Sequence, residues 1–277
     1  MSADVSATDR PVPAMGADGG EPQNAWLWGV DPAEAAGPGL PQVLSPGERH
    51  RMRRFRSARD RRAYLVAHTL LRVALTERVP GVPPAAWHFE AGPYGRPELA
   101  GPPGAPPLSC NLTHTDGFVA CVVTGGAPCG IDVETVVREP GIDRLARRLL
   151  TVGERVRLEA LPAGARRERF FRLWTLKEAY TKARGLGLSL PFDRIAFALG
   201  PPRLLHAPDE EAPGIWTFAQ WAPTPRHIAA VAVRGPARLQ IAAVPPWAPP
   251  TARSGPGTDA MRNVEGGPRW STSRSAG

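Results

Sequence analysis

The chain has 277 residues, a formal net charge of +8 and a sequence pI of about 10.3, and 42% of its residues are hydrophobic. This length allows one or two domains with a substantial core, and the composition excludes collagen-like and wholly disordered chains. No apolar run approaches the ~18 residues of a membrane span, and the first 20 residues lack the pattern of a secretory signal. Three cysteines are too few for a disulfide framework, so we expect a cytoplasmic protein.

The positive charge is carried almost entirely by arginine. The sequence has 32 Arg and only two Lys, Lys177 and Lys182, five positions apart. An ammonium group is a compact charge and a guanidinium is a planar fork, so the two are not interchangeable at a crowded site. The pair therefore indicates a segment with special chemistry. The high pI is also typical of proteins that bind nucleic acid, and that class remains a rival hypothesis.

Taken in chain order, the first segment predicted is a disordered, polar tail rich in Pro and Gly over residues 1–23, and a second disordered tail is predicted over residues 245–277. Between these tails a capping box occurs twice, at Ser45–Glu48 and at Thr151–Glu154, 106 residues apart. Each box is followed by an amphipathic helical pattern, in the first case through Ala63 to Ala74 and in the second through Phe170 to Tyr180.

Each helical pattern is followed by β signals in the same order. A short strand is predicted at Trp87–Glu90 and again at Ile195–Leu199, and an apolar β-run at Phe118–Val123 and again at His227–Ala232. The constant offset predicts an α+β protein of two similar halves, residues 24–126 and 127–244, related by a pseudo-twofold axis. Ligands tend to bind at such a junction, so we expect the active site at the interface of the halves.

Two carboxylates follow the first half closely. In an extended chain Asp132 and Glu134 face the same side, where two like charges need a cation or a shared proton. Hard oxygen ligands of this kind suit Mg²⁺. A solvated pair on an edge strand is the alternative when the two residues are considered alone.

The segment with both lysines forms the next element. Glu178 and Lys182 are four residues apart, which places them on one face of a helix with Trp174 one turn earlier. An ordinary surface ion pair is the alternative here. Upstream, His114 lies just ahead of the β-run that leads to Asp132, and a lone histidine in that place is more often structural than a ligand contact.

Taken together, these segments resemble the Sfp-type 4′-phosphopantetheinyl transferases. The resemblance covers about residues 26–235 and depends on five ordered motifs: Gly130-Ile131-Asp132-Val133-Glu134, Trp174-Thr175-Leu176-Lys177-Glu178-Ala179-Tyr180-Thr181-Lys182, Asn111-Leu112-Thr113-His114-Thr115, Tyr94-Gly95-Arg96-Pro97 and Gly185-Leu186-Gly187-Leu188-Ser189-Leu190-Pro191. The third motif departs from the family pattern, since Thr stands where the family has Ser.

The resemblance implies an enzyme that transfers the phosphopantetheine arm of coenzyme A to a serine of an apo acyl or peptidyl carrier protein. Adenosine 3′,5′-bisphosphate would be released, and Mg²⁺ or Mn²⁺ would be required. Length and the internal duplication favour a monomer with two similar halves over a true dimer. Whether the carrier belongs to fatty-acid, polyketide or nonribosomal peptide synthesis is left open, and a carrier-protein-binding module without catalysis is a third hypothesis.

The same resemblance implies roles for individual residues. Asp132, Glu134 and Glu178 would bind the metal, and Glu178 would also be the base, directly or through water. Lys182 would hold the transferring phosphoryl oxygens, and Lys177 would contact phosphate or support Glu178. Coenzyme A would also be bound by Thr113, His114, Arg51, Arg62 and Arg96. Basic residues at 144–148 and in the helix after Thr151 are expected to face the carrier protein.

Overall fold

A computed structural model describes residues 21–35, 40–92, 97–137, 141–208, 213–242 and 261–263. It has the predicted α+β class. The first half contains β1 (Gln23–Val30), α1 (Leu40–Val43), α2 (Pro46–Arg53), α3 (Ala58–Arg78), β2 (His88–Ala91), β3 (Pro97–Gly101), β4 (Ser109–Thr115) and β5 (Phe118–Thr124). The second contains β6 (Cys129–Thr135), α4 (Ile142–Leu149), α5 (Val152–Glu159), α6 (Ala163–Arg184), β7 (Ala196–Leu199), β8 (Pro202–His206), β9 (Trp216–Thr224) and β10 (His227–Arg234), followed by β11 (Ala237–Ala242) and β12 (Met261–Asn263).

Both predicted capping boxes are present. Ser45 Oγ accepts from the Glu48 amide and Thr151 Oγ1 from the Glu154 amide, while each glutamate accepts from the amide of its capping residue. The boxes begin the short helices α2 and α5, and the predicted amphipathic patterns lie in the separate long helices α3 and α6 that follow them. The four predicted strands correspond to β2, β5, β7 and β10.

The order of elements repeats between the halves. Each has one strand, three helices, a small hairpin and a larger hairpin, and the strands β1-β5-β4 are ordered in their sheet as β6-β10-β9 are in theirs. All of these neighbours pair antiparallel. The repeated order agrees with duplication, and the pseudo-twofold axis itself stays a prediction.

The core lies in three successive layers. One cluster fills the space between α3 and the first sheet, a second lies between the two sheets, and a third lies between α6 and the second sheet. Alternate residues of β10 show the arrangement, since Ala230 and Ala232 face α6 while Ala229 and Val231 face the first sheet. The result is a helix–sheet–sheet–helix stack. No helix among the described residues is long and apolar enough to cross a membrane.

The strands at the C-terminal end belong to the first sheet. Strand β11, which lies in the predicted second half, pairs parallel with β1 and so completes the first sheet, in the order β12-β11-β1-β5-β4. Strand β12 lies inside the segment expected to be disordered, and its backbone pairs with β11. At the other end Gln23 already belongs to β1, and residues 1–20 lie outside the described residues.

Candidate functional site

The alternation of β6 separates an apolar face from an acidic one. Ile131 and Val133 are buried between the two sheets, whereas Asp132 and Glu134 point to the opposite side, toward α6. Asp132 is 4% exposed and lies opposite Ala230 of β10, which is the single strand that pairs with β6 in the described part of the chain. The edge strand therefore places two carboxylates under a helix, as its i, i+2 spacing predicts.

Helix α6 covers these carboxylates with residues spaced one turn apart. Trp174 Nε1 donates to Glu134 Oε1 over 3.0 Å, and Lys182 Nζ donates to Asp132 Oδ1 over 2.6 Å. Because the earlier helix residue contacts the later strand residue, α6 runs antiparallel to β6. Glu178 lies between Trp174 and Lys182 on the same face of the helix. The helix ends at Gly185, whose φ of 68° is the left-handed conformation that terminates helices.

Gly130 permits the close approach of α6 to β6. A Cβ atom at this position would lie 2.1 Å from the carbonyl oxygen of Ala179 and 2.5 Å from the amide nitrogen of Ala183. Both are backbone atoms of the helix, which cannot move independently of it. Helix α6, which carries Glu178 and Lys182, crosses β6 at this point. The position two residues before Asp132 therefore requires glycine.

The Asp132 carboxylate is the centre of the polar cluster. Its Oδ1 accepts from Lys182 Nζ and from Thr113 Oγ1, the latter over 3.3 Å, and Lys182 Nζ also donates to the Ile131 carbonyl over 3.2 Å. Its Oδ2 is buried and has no hydrogen-bond partner among the described residues. An unpaired buried carboxylate oxygen is costly, which indicates that a further ligand belongs at this atom.

The two glutamates are held in an environment that disfavours their charge. Burial and the negative charge of Asp132 raise the pKa of Glu134 to about 7, although the hydrogen bond from Trp174 lowers it. Burial and Asp132 likewise raise the pKa of Glu178 to about 7, against the opposing charge of Lys182. These three carboxylates repel one another and would be stabilised by a cation.

The donor set fits Mg²⁺ in chemistry. Three carboxylates offer hard oxygen ligands, one with an unpaired oxygen and two with raised pKa values. Among the described residues no group of three or more His, Cys, Asp or Glu side chains is placed so that it could hold a metal ion. A metal at these carboxylates therefore stays a prediction.

The first half contributes Thr113 and His114 from β4. Thr113 faces the carboxylates, and Lys182 Nζ lies 3.4 Å from its hydroxyl. His114, the next residue, lies at the protein surface. Its pKa is lowered by desolvation from the protein atoms around the ring and by the positive charges of His68 and Lys182. His114 therefore lies near the cluster without contacting the carboxylates.

The predicted arginines are distributed differently. Arg51 is exposed on α2. Arg62 donates through Nε to the Pro32 carbonyl over 3.0 Å and through Nη2 to the Ala35 carbonyl, so its guanidinium holds the chain after β1. Arg96 lies outside the described residues.

The structure places Lys177 away from the carboxylate cluster, so its expected contact with the cofactor stays a prediction that this placement does not support. Its side chain is 0% exposed, and Nζ donates to Glu154 Oε2 over 2.6 Å and to the carbonyls of Leu149 and Phe192 over 2.8 Å each. All three donor positions are used by the protein. The helix geometry explains this placement, since the neighbouring position Glu178 points toward β6 and Lys177 points toward α4 and α5.

Two contacts near the site were not predicted from the sequence. Asn111 Oδ1 accepts from the Ile131 amide over 3.0 Å, one residue before Asp132. His227 bridges two hairpin turns, as described below. Asn111 stands in a motif that was recognised, so only its partner was missed; nothing in the local sequence of His227 identifies its partner.

The chain is similar to several known proteins. A family model described as the 4′-phosphopantetheinyl transferase superfamily matches residues 128–232. The chain is 32% identical over 210 residues to 4′-phosphopantetheinyl transferase HetI of Nostoc sp., covering 76% of this chain and 86% of the relative. It is 31% identical over 157 residues to a 4′-phosphopantetheinyl transferase of Bacillus subtilis, covering 57% of this chain and 67% of the relative.

A third relative is 4′-phosphopantetheinyl transferase psf-1 of Bacillus pumilus, with 30% identity over 203 residues, 73% of this chain and 83% of the relative. Among solved structures, a holo-(acyl-carrier-protein) synthase from Bacillus anthracis in complex with CoA (3′,5′-ADP) is 26% identical over 39% of this chain and 94% of that chain. Its TM-score of 0.34 is too low to carry an argument.

Proposed function

The chain belongs to the 4′-phosphopantetheinyl transferase superfamily and transfers phosphopantetheine to carrier proteins, and from this premise we propose that Asp132, Glu134, Glu178 and Lys182 form its active site. The observation that supports this most directly is the buried, unpaired Oδ2 of Asp132, surrounded by Lys182 and two glutamates with raised pKa values. Such an arrangement is typical of sites prepared for charged substrates. The similar transferases favour catalysis over both rival hypotheses.

In this proposal Asp132, Glu134 and Glu178 would hold Mg²⁺ or Mn²⁺, with Glu134 bound directly or through water. When bound, the ion would supply positive charge to the pyrophosphate of coenzyme A. The unpaired Oδ2 of Asp132 supports this assignment. The ion pair between Lys182 and Oδ1 leaves that second oxygen for a ligand.

Glu178 would accept the proton of the carrier serine, directly or through water. A carboxyl whose pKa lies near neutrality is suited to general base catalysis. The serine oxygen then bonds to the phosphorus that bears pantetheine, the bond from that phosphorus to the adenosine bisphosphate breaks, and adenosine 3′,5′-bisphosphate leaves with the electron pair.

Lys182 would neutralise the phosphoryl oxygens during this exchange. Its Nζ already contacts Asp132, Thr113 and the Ile131 carbonyl, and its side chain is 27% exposed, so solvent and substrate can reach it. Thr113 and His114 would donate hydrogen bonds to phosphate from β4. In the substrate-free protein the pKa of His114 is lowered by desolvation and by the positive charges of His68 and Lys182.

The acceptor protein would dock on a basic cleft between α4 and the start of α6. Arg144, Arg147, Arg166 and Arg167 line a cleft of about 590 Å³. Arg167 also lines a neighbouring cavity of about 380 Å³ that reaches Ile228, the strand partner of Glu134. Arg167 thus lines both depressions, and the four arginines of the first support an acidic carrier-protein face as its occupant.

The central experiment is mass spectrometry of a panel of apo carrier proteins incubated with the enzyme and coenzyme A. We expect a phosphopantetheine mass gain with Mg²⁺ or Mn²⁺ and none in EDTA. Loading that does not depend on metal would contradict the assignment of the three carboxylates. Lys182→Arg should be severely impaired because a planar fork cannot replace a compact ammonium beside Asp132.

The docking surface has its own test. Arg144→Glu and Arg147→Glu should raise KM for the carrier protein at least tenfold and leave KM for coenzyme A unchanged. Arg203→Glu on β8, an exposed arginine outside the cleft, is the matched control. Equal effects of all three variants would remove the cleft as the docking surface.

One chain supplies both sides of the proposed site, Thr113 from the first half and Asp132 from the second. This supports the predicted monomer. Size-exclusion chromatography with light scattering should give the mass of a single chain.

A further inference from the structure

The two halves meet at the site without a shared sheet. Strand β4 ends the first sheet and β6 ends the second, and the strand order shows no ladder between them in the described part of the chain. Contacts between side chains and backbone take the place of that ladder. Two of them lie at either end of the Thr113–Asp132 contact, and these are made by Asn111 and His227.

Asn111 closes the free edge of β6. It is 9% exposed, and its Oδ1 accepts from the Ile131 amide over 3.0 Å. The Ile131 carbonyl is bonded to Lys182 Nζ. The peptide groups next to Asp132 are thus fixed by a side chain of the first half and by α6, although no strand pairs with this edge.

His227 joins the turns of two hairpins. It is 4% exposed, its Nε2 lies 2.8 Å from the Asp116 carbonyl in the β4–β5 turn, and its Nδ1 lies 2.6 Å from Thr224 Oγ1 at the end of β9. Because a carbonyl can only accept, Nε2 carries the proton, and Nδ1 accepts from the Thr224 hydroxyl. A neutral imidazole therefore satisfies both bonds.

The position of this bridge connects it with the site. Asp116 follows Thr113 and His114 by a few residues at the end of β4, and His227 pairs in the sheet with Thr135, the neighbour of Glu134. Asp116 is itself paired with Arg59 at the start of α3. His227 thus fixes the end of β4 relative to the end of β6.

We propose that Asn111 and His227 form a clamp that positions the halves, so that Thr113 and His114 of the first half stay aligned with Asp132 and Lys182 of the second. Neither residue touches the reacting atoms. The inference rests on the proposed function, because it assigns a positioning role for the transfer reaction at that same site.

The test compares His227→Gln with His227→Phe in the full-length enzyme. Glutamine can still donate to the Asp116 carbonyl, whereas phenylalanine keeps the ring and loses both hydrogen bonds. We expect kcat to fall at least tenfold in His227→Phe, with KM for coenzyme A changed less than about threefold, and to stay within about threefold of wild type in His227→Gln. Asn111→Leu should resemble His227→Phe.

His206→Phe, at an exposed histidine of β8, is the control for loss of a histidine ring. If His227→Phe does not fold, His227→Asn replaces it, since the shorter amide cannot reach Asp116 but matches glutamine in polarity. A wild-type kcat in the folded variant that lacks the donor, or an equal loss in His227→Gln, overturns the clamp. Absence of loading by the wild type would instead overturn the proposed function.

Discussion

The two lysines of the chain are five positions apart and lie in different environments. Lys182 stands on the face of α6 that meets β6, 27% exposed and 2.6 Å from Asp132, where substrate can reach it. Lys177 stands on another face, fully buried in an ion pair with Glu154. Because Glu154 also closes the capping box of α5, this buried pair ties α6 to the start of α5.

Lys177→Met should therefore act on stability. Removal of one partner leaves the Glu154 carboxylate buried without its cation, which costs about 3–5 kcal/mol in comparable cases. Lys182→Met should cost less, about 1–3 kcal/mol, because Asp132 keeps the hydrogen bond from Thr113, but it should lower kcat more than about a hundredfold. Denaturant titration and carrier loading, measured on both variants, check the two expectations. The opposite pattern would restore Lys177 to the active site.

Glu178→Gln should separate stability from activity. The pKa of Glu178 is raised from 4.5 to about 7 in the folded protein, so the folded state holds its proton more tightly than the unfolded state. Its contribution to stability is present below pH 4.5 and is lost as pH rises through 7. In EDTA at pH 8 the variant should be more stable than wild type by about 1 kcal/mol, or 2–4 °C in Tm, while transfer is lost.

The comparison needs a second pH. At pH 5 the folded forms of both proteins carry a neutral group at position 178, so their Tm values should differ by less than they do at pH 8. A difference that does not depend on pH would show that Glu178 is not held in a raised-pKa environment.

At the scale of elements, the site depends on the closeness of β6 and α6. Gly130→Ala places a methyl group against two backbone atoms of the helix, so α6 must move away from the strand. We expect a loss of about 3 kcal/mol or more and a loss of transfer, because the Lys182–Asp132 contact is broken. Gly164→Ala is the matched control in the same helix, with nothing within 4 Å of the added atom, and should be neutral or stabilise by about 0.5–1 kcal/mol.

The elements that carry local signals were predicted well. Capping boxes, the long helices and the buried strands depend on neighbouring residues, and these have the predicted types and nearly the predicted bounds. The face of α6 with Trp174, Glu178 and Lys182 also followed from helical spacing alone.

Features that depend on distant partners were not predicted. The direction of Lys177 depends on Glu154, 23 residues earlier, and the contact of His227 depends on Asp116, 111 residues earlier. The same limit applies to β11, whose alternation shows a strand but not that its neighbour is β1.

The two halves also share an ion pair between the glutamate of the capping box and a cation on the following long helix. The repeated capping boxes did not predict this pair. In the first half Glu48 of the box accepts from Arg72 over 2.6 Å, and in the second Glu154 accepts from Lys177 over 2.6 Å. Arg72 and Lys177 occupy corresponding places in α3 and α6, and each also donates to a carbonyl of the short helical turn after its helix, Pro84 or Phe192. The first half adds His68 as a further partner of Glu48.

At the scale of the whole molecule, the bridge between the halves should respond to acid. The pKa of His227 is lowered from 6.5 to about 4 by burial and by the charge of Arg226, against the opposing charge of Asp31. Between these values the unfolded state binds a proton that the folded state does not, so stability falls as pH drops from 6.5 toward 4. The loss attributable to His227 is at most about 3 kcal/mol.

His227→Gln should remove this part of the acid sensitivity. Urea unfolding of wild type and variant at pH 7.5 and pH 4.5 gives four free energies, and the wild type should lose more than the variant. The difference between the two losses cancels the contribution of other titrating groups. Equal losses would mean that His227 titrates normally in the folded protein.

The return of β11 to the first sheet has a consequence for how the protein is made. Ribosomes deliver the chain from its N-terminus, so the strands β1, β5 and β4 emerge long before Ala237–Ala242, which pairs with β1. The edge of β1 that pairs with β11 therefore stays uncovered until nearly the whole second half has been translated. A nascent chain arrested before residue 237 would expose that edge. We therefore expect chaperones to bind the first half at this stage of synthesis.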